Sequence, residues 1–135
     1  MLDTTARKYL RAAEQRYTAA EVLFHEGRNL ESMYLAGYVV ECATKALILA
    51  RTSPKDRSNL MLEAFRGRRG HDYEELKAML RQRHCTIPLP IAVLFRRISS
   101  WSTDLRYEVG FVPTKDAEQF LAAAKDIMDW VKRNL

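Results

Sequence analysis

Leu35-Ala-Gly-Tyr-Val-Val-Glu-Cys-Ala-Thr-Lys-Ala-Leu-Ile-Leu-Ala50 is apolar on nearly every side of a helical wheel, and its reading decides the fold. A helix with no polar face needs neighbours all round, so this is the central helix of an all-α domain. Asn29 is placed to cap it, and the helix runs from Leu30 to about Arg51. Two charges interrupt the run. Glu41 and Lys45 lie four apart with the Glu N-terminal, the favourable order for a helical ion pair. Burying either charge alone is expensive. Two readings follow: a pair at the core edge with Lys45 snorkelling its stem outward, or a Glu41 that accepts from an Arg of a neighbouring helix and orients it for a ligand.

Outward from this helix the apolar spacing stays helical rather than alternating. Upstream, Tyr9, Leu10, Ala13, Tyr17, Ala20 and Phe24 recur at three- and four-residue steps, which predicts a helix from Thr4 to Glu26 that Gly27 closes. Downstream, Ser58 is placed to cap a short helix ending at Phe65, followed by the cationic loop Arg66-Gly-Arg-Arg-Gly70. Asp72 and Glu75 have capping-box spacing for a third helix, to about Arg83, with Tyr73, Leu76 and Leu80 inward. Pro90 opens a further helix to about Arg106, and Thr114 is placed to cap the last, striped by Phe120, Ala124, Ile127, Val131 and Leu135. Short connections make an antiparallel up-and-down bundle of four long helices plus a short one, in a single domain over residues 1–135.

The 135 residues suffice for one such core without a disulfide or metal framework. Cys42 and Cys85 have no CxxC or Cys/His ligand spacing and read as reduced, packed thiols, which favours a cytoplasmic protein. No export signal is evident, and no stretch approaches the roughly 20 apolar residues of a membrane span, so no membrane partner is expected. A net charge of +5, with fifteen arginines among the cations, makes polyanions the first partner class to consider.

The arginines recur in pairs, Arg68 with Arg69, Arg81 with Arg83 and Arg96 with Arg97, and guanidinium groups suit bidentate phosphate contacts. Arg66 and His71 have the spacing of a cation that holds a scissile phosphate and an imidazole that moves the proton of the adjacent 2′-hydroxyl. With fifteen Arg and three His, such a gap also arises about once by chance. The bland reading of His71 is a residue just before a helix, beside the capping Asp72. Metal, nucleotide-loop and serine-hydrolase motifs are absent from the sequence, and no cofactor is expected.

The order of these signals resembles the HEPN domain, the higher-eukaryote and prokaryote nucleotide-binding family. The pieces that carry the resemblance are Ala36-Gly-Tyr-Val-Val-Glu-Cys-Ala-Thr-Lys-Ala-Leu47 for the family's A-x-E-x-x-x-K-A-L helix, His71-Asp-Tyr-Glu-Glu-Leu76 for its H-D-L-x-x-L, Leu105-Arg-Tyr107 for its R-Y-P, and a final helix ending Asp129-Trp-Val-Lys132. The resemblance implies a helical bundle, often dimeric, that binds RNA or nucleotides and commonly serves toxin-antitoxin or other defence systems. Some members are metal-independent ribonucleases with an R-x4-6-H motif at the end of the fourth helix. Here Arg106 takes that Arg position, but Glu108, Val109, Gly110, Phe111 and Val112 follow without a His.

The expectation is therefore an RNA- or nucleotide-binding homodimer, non-catalytic or weakly catalytic, using Arg106, Tyr107, Glu41, Lys45, Arg97, Arg68 and Arg69. Two alternatives remain: a metal-independent endoribonuclease using Arg66 or Arg106 with His71, and an interaction module for a nucleotidyltransferase-like or antitoxin partner.

Overall fold

The computed structural model describes residues 2–105 and 109–135, with backbone alone for Arg68, Arg69 and residues 101–105. Among the described residues six helices follow in order: α1 Thr4–His25, α2 Asn29–Ala50, α3 Pro54–Asn59, α4 Tyr73–Gln82, α5 Leu89–Leu105 and α6 Thr114–Arg133. A single π-helical turn, Leu60–Ala64, continues α3, and a 3-10 turn, Arg68–His71, precedes α4. Among the described residues there is no strand. The all-α class and the four long helices, α1, α2, α5 and α6, are as expected; two short helices, α3 and α4, accompany them where one was expected.

α2 is the central rod. It packs most extensively on α1, then on α6, and it also touches α4 and α5. Sixteen of its residues, including the whole run Val39 to Leu49, are buried. Contrary to the expectation that no stretch approaches a membrane span, its length and apolarity equal those of a membrane-crossing helix; 78% of that apolar window is buried inside the protein. Apolarity here serves contact with three long neighbours.

α1 meets α2 through Ala6, Ala13 and Ala20, spaced by seven residues and fully buried. Two turns of helix separate successive members, so the three methyl groups form one seam that lets the backbones approach closely. Ser32 on α2 strengthens the contact by donating to Ala20 O at 2.6 Å. Gly27 then ends α1 as expected, at φ +78°. Its amide donates to Phe24 O at 3.0 Å and that of Arg28 to Leu23 O at 2.8 Å, the paired bonds of a Schellman turn.

Three local expectations are corrected. Asn29 is not a side-chain cap of α2. Its amide reaches across the bundle to Val112 O at 2.9 Å and Thr114 Oγ1 at 3.3 Å, fastening the start of α6 to the start of α2. Thr114, occupied in that way, does not cap α6, where Pro113 holds the cap position. The short helix starts at Pro54 rather than Ser58, because Pro54 presets the first helical turn and Ser53 Oγ bonds Asp56 Oδ2 at 2.6 Å.

Candidate functional site

Glu41 and Lys45 lie on the inner part of α2, and neither reaches bulk solvent. Lys45 is 4% exposed and Glu41 8%. Lys45 Nζ donates to Glu41 Oε2 at 3.1 Å. The ammonium also lies 5.2 Å from the Phe65 ring centroid and 6.0 Å from that of Tyr9, and these two rings meet edge to face at 5.8 Å. The lysine does not snorkel. Its charge is neutralised by one carboxylate and faced by two aromatic quadrupoles, the means by which a buried cation is tolerated.

The second oxygen of Glu41 takes the partner that the sequence did not disclose. His71 Nδ1 stands 2.9 Å from Glu41 Oε1, across 30 residues of chain. The neighbour expected there was an arginine; the imidazole occupies that place. The His71 side chain is 47% exposed while the carboxylate beneath it is 10% exposed. With Nδ1 directed at Glu41, the opposite nitrogen, Nε2, points away from the carboxylate. A carboxylate on Nδ1 fixes ring orientation and favours the tautomer whose Nε2 accepts a proton.

Three local features hold His71 there. Asp72 caps α4, its Oδ1 accepting from the Glu74 amide at 2.9 Å and the Glu75 amide at 3.4 Å, as the capping-box spacing predicts. Tyr73, buried, donates its hydroxyl to Gly37 O at 2.7 Å, and a Cβ at Gly37 would come within 3.2 Å of that hydroxyl. Gly70 folds back so closely that a Cβ there would lie inside the Phe65 backbone. The turn Arg68–His71 is thereby pinned to α2 at one end and to Phe65 at the other.

Burial acts on two further groups beside this carboxylate. It pushes the Cys42 thiol above the usual range, Arg16 partly offsetting it. It pushes the Tyr9 phenol up as well, with Cys42 and Glu41 adding to the effect. Both cysteines are free thiols and buried, as the sequence predicts.

The remaining cations sit elsewhere. Arg66 is exposed at the head of the turn that ends in His71, and Arg68 and Arg69 lie in that turn by backbone. Arg97 is exposed on α5 and lines a cavity of about 160 Å³ with Asp116, Gln119, Phe120 and Ala123 of α6. Arg83 is committed to structure, donating to Thr52 Oγ1 at 2.7 Å and Met79 O at 2.9 Å. Arg106 and Tyr107 lie outside the described residues. Among the described residues no group of three or more His, Cys, Asp or Glu side chains could hold a metal ion.

Tyr9 and Phe65, which complete the lysine's surroundings, come from α1 and the end of the π turn; the stripe position of Tyr9 is legible in the sequence, but its meeting with Phe65 over Lys45 is not. Tyr34 and Tyr38 precede Glu41 by seven and three residues on the same face of α2, and that helical spacing is the signal in the sequence that groups them with it.

A helical bundle in which the turn Arg68–His71 is anchored beside a buried carboxylate defines a small α-helical domain. The HEPN domain family model matches residues 6–134, and the chain belongs to that family. The match confirms the resemblance read from the four motifs and brings with it the nucleotide-binding type of helical fold. No curated protein and no solved structure matches the chain significantly.

Proposed function

We propose that this HEPN domain binds RNA or a nucleotide-bearing ligand at the edge formed by Arg66, Arg68, Arg69 and His71. The observation that carries the reading is the 2.9 Å contact of His71 Nδ1 with Glu41, which holds an exposed ring at the end of a three-arginine turn. Guanidinium groups supply phosphate contacts and the fixed imidazole supplies a directed hydrogen-bonding edge. Arg106 and Tyr107 join this site in the proposal through the family resemblance, as do a homodimeric state, a cytoplasmic location, and service in a toxin-antitoxin or defence system.

The test is fluorescence anisotropy of a labelled single-stranded oligoribonucleotide over a salt series. Replacing Arg66, Arg68 and Arg69 together by Ala should lower the slope of log K against log salt by about 2, since each phosphate neutralised contributes roughly 0.7. A parallel R106A variant should weaken binding with helicity unchanged. Salt-insensitive or absent binding refutes the reading, and stable co-purification with a nucleotidyltransferase-like or antitoxin neighbour would then favour the interaction-module alternative.

The carboxylate–imidazole contact also favours a second reading, endoribonuclease activity. Nε2 of His71 would take the 2′-hydroxyl proton, and the 2′-oxygen would attack the adjacent phosphorus as the 5′-oxygen departs and is protonated by water. The products are a 2′,3′-cyclic phosphate and a 5′-hydroxyl. Arg66 would neutralise the phosphate, and Glu41 is a positioning residue. Cleavage resistant to chelator, abolished by H71A and altered in pH profile by E41Q, supports it; wild-type protein inert on structured and unstructured RNA removes it.

A further inference from the structure

Tyr34, Tyr38, Glu41 and Lys45 recur at helical spacing along one face of α2. The two charged members turn inward under His71 and the Tyr9 and Phe65 rings, whereas the two tyrosines open toward solvent. Tyr34 is 45% exposed and Tyr38 half-buried. Their rings meet edge to face with centroids 5.5 Å apart, and their hydroxyls lie 3.2 Å apart. That mutual contact gives the exposed ring a fixed orientation. Measured along the helix axis, Tyr38 lies about 4.5 Å and Tyr34 about 10.5 Å from Glu41. His71 meets Glu41 at 2.9 Å, which puts the imidazole on the same face of α2 that carries the aromatic pair.

We infer that the Tyr34–Tyr38 pair is a base-stacking ledge, which makes the ligand of this site an unpaired nucleotide, with its base on Tyr34 and its ribose-phosphate at His71 and the arginine turn. The inference deepens the RNA-binding reading and rests on it. Three features agree on this occupant. Every base has a π-face, so an exposed, oriented tyrosine accepts a single strand without reading sequence. The neighbouring segment from Arg66 to His71 carries three arginines, which suit the repeated phosphates of a nucleic-acid backbone. In a duplex the bases are stacked on one another, so their faces are closed to the ledge and only the phosphates remain to be bound.

The test compares four labelled probes by anisotropy at fixed salt: an oligoadenylate, an oligouridylate, an abasic ribose-phosphate oligomer of equal length, and a hairpin duplex. Wild-type protein should bind the two single strands about tenfold more tightly than the abasic oligomer or the duplex. Y34A/Y38A should erase that preference while leaving abasic binding and helicity unchanged. Y34F/Y38F keeps the rings, loses the hydroxyl contact and should restore the preference. R66A is the control for the underlying reading and should weaken all four probes together. Equal loss for all probes in Y34A/Y38A overturns the ledge while leaving RNA binding intact, as does an unchanged preference or a change confined to the monomer–dimer equilibrium. No binding of any probe by the wild type overturns both.

Discussion

Replacing Glu41 by Ala should be among the most damaging single changes in this protein, and the geometry sets the scale. The carboxylate serves Lys45 at 3.1 Å and His71 at 2.9 Å, with the lysine side chain 4% exposed. Removing it strands an ammonium whose remaining company is the faces of Phe65 and Tyr9. Breaking a buried pair from one side costs about 3–5 kcal/mol, and two ring faces return about 1–2 kcal/mol at most. The net expectation is a loss of about 1–4 kcal/mol, equivalent for a chain of this length to a fall in Tm of roughly 3–16 °C. K45M should cost less, because Glu41 keeps His71 and the methionine stem fills the same space. The double variant E41A/K45M should then be more stable than E41A alone, since no unpaired charge remains. Urea unfolding of all four proteins, followed by circular dichroism, measures this cycle. Were E41A within 1 kcal/mol of wild type, or the double variant simply the sum of the singles, the account of Glu41 as the counterion of Lys45 would fail.

Other expectations concern packing and titration. A13L should cost about 1–3 kcal/mol by forcing α1 off α2, whereas A19L on the exposed face of α1 should stay within about 0.5 kcal/mol; equal melts would refute the alanine seam. G70A should force the turn away from Phe65, lowering Tm and weakening RNA binding together, and an unchanged melt would contradict the backbone contact. Burial raises the Cys42 thiol above its unfolded value, so the fold favours the neutral form. That contribution is complete below the ordinary thiol pKa of about 8.5 and is lost as pH climbs through the raised folded value. Stability should therefore fall above about pH 9, less steeply in C42A, with Tyr9 acting in the same direction. Native protein should resist iodoacetamide at pH 8 relative to denatured protein, and equal labelling rates would remove the argument.

The helices were legible because their signals are local. An unbroken apolar run identified α2 as central, Gly27 and Asp72 marked ends by chemistry confined to one turn, and Glu41 with Lys45 was a pair within one helix. What sequence concealed is the choice between partners distant in the chain. Asn29 has the residue type of a cap, yet its amide is claimed by Val112 and Thr114 more than 80 residues away. Glu41 invited a cation from another element, and a histidine 30 positions on supplies the contact because Gly70 and Tyr73 pull its turn inward. The π turn at Leu60–Ala64 widens the helix just where Phe65 must swing in over Lys45, and periodicity alone has no symbol for that. The family's Arg-Tyr motif, at Arg106 and Tyr107, lies outside the described residues.

The alanine seam between α1 and α2 bears on how such a chain diverges over time. Three methyl groups set the spacing of the contact and Tyr9, Tyr17 and Phe24 flank it, so the outward positions of α1, such as Arg11, Glu14 and Thr18, can be rewritten in charge and size while the helix keeps its seat. Two descendants of one ancestor can share little beyond a seven-residue spacing and an apolar rod and still fold alike. Kinship among such bundles persists as rhythm long after identity has worn away.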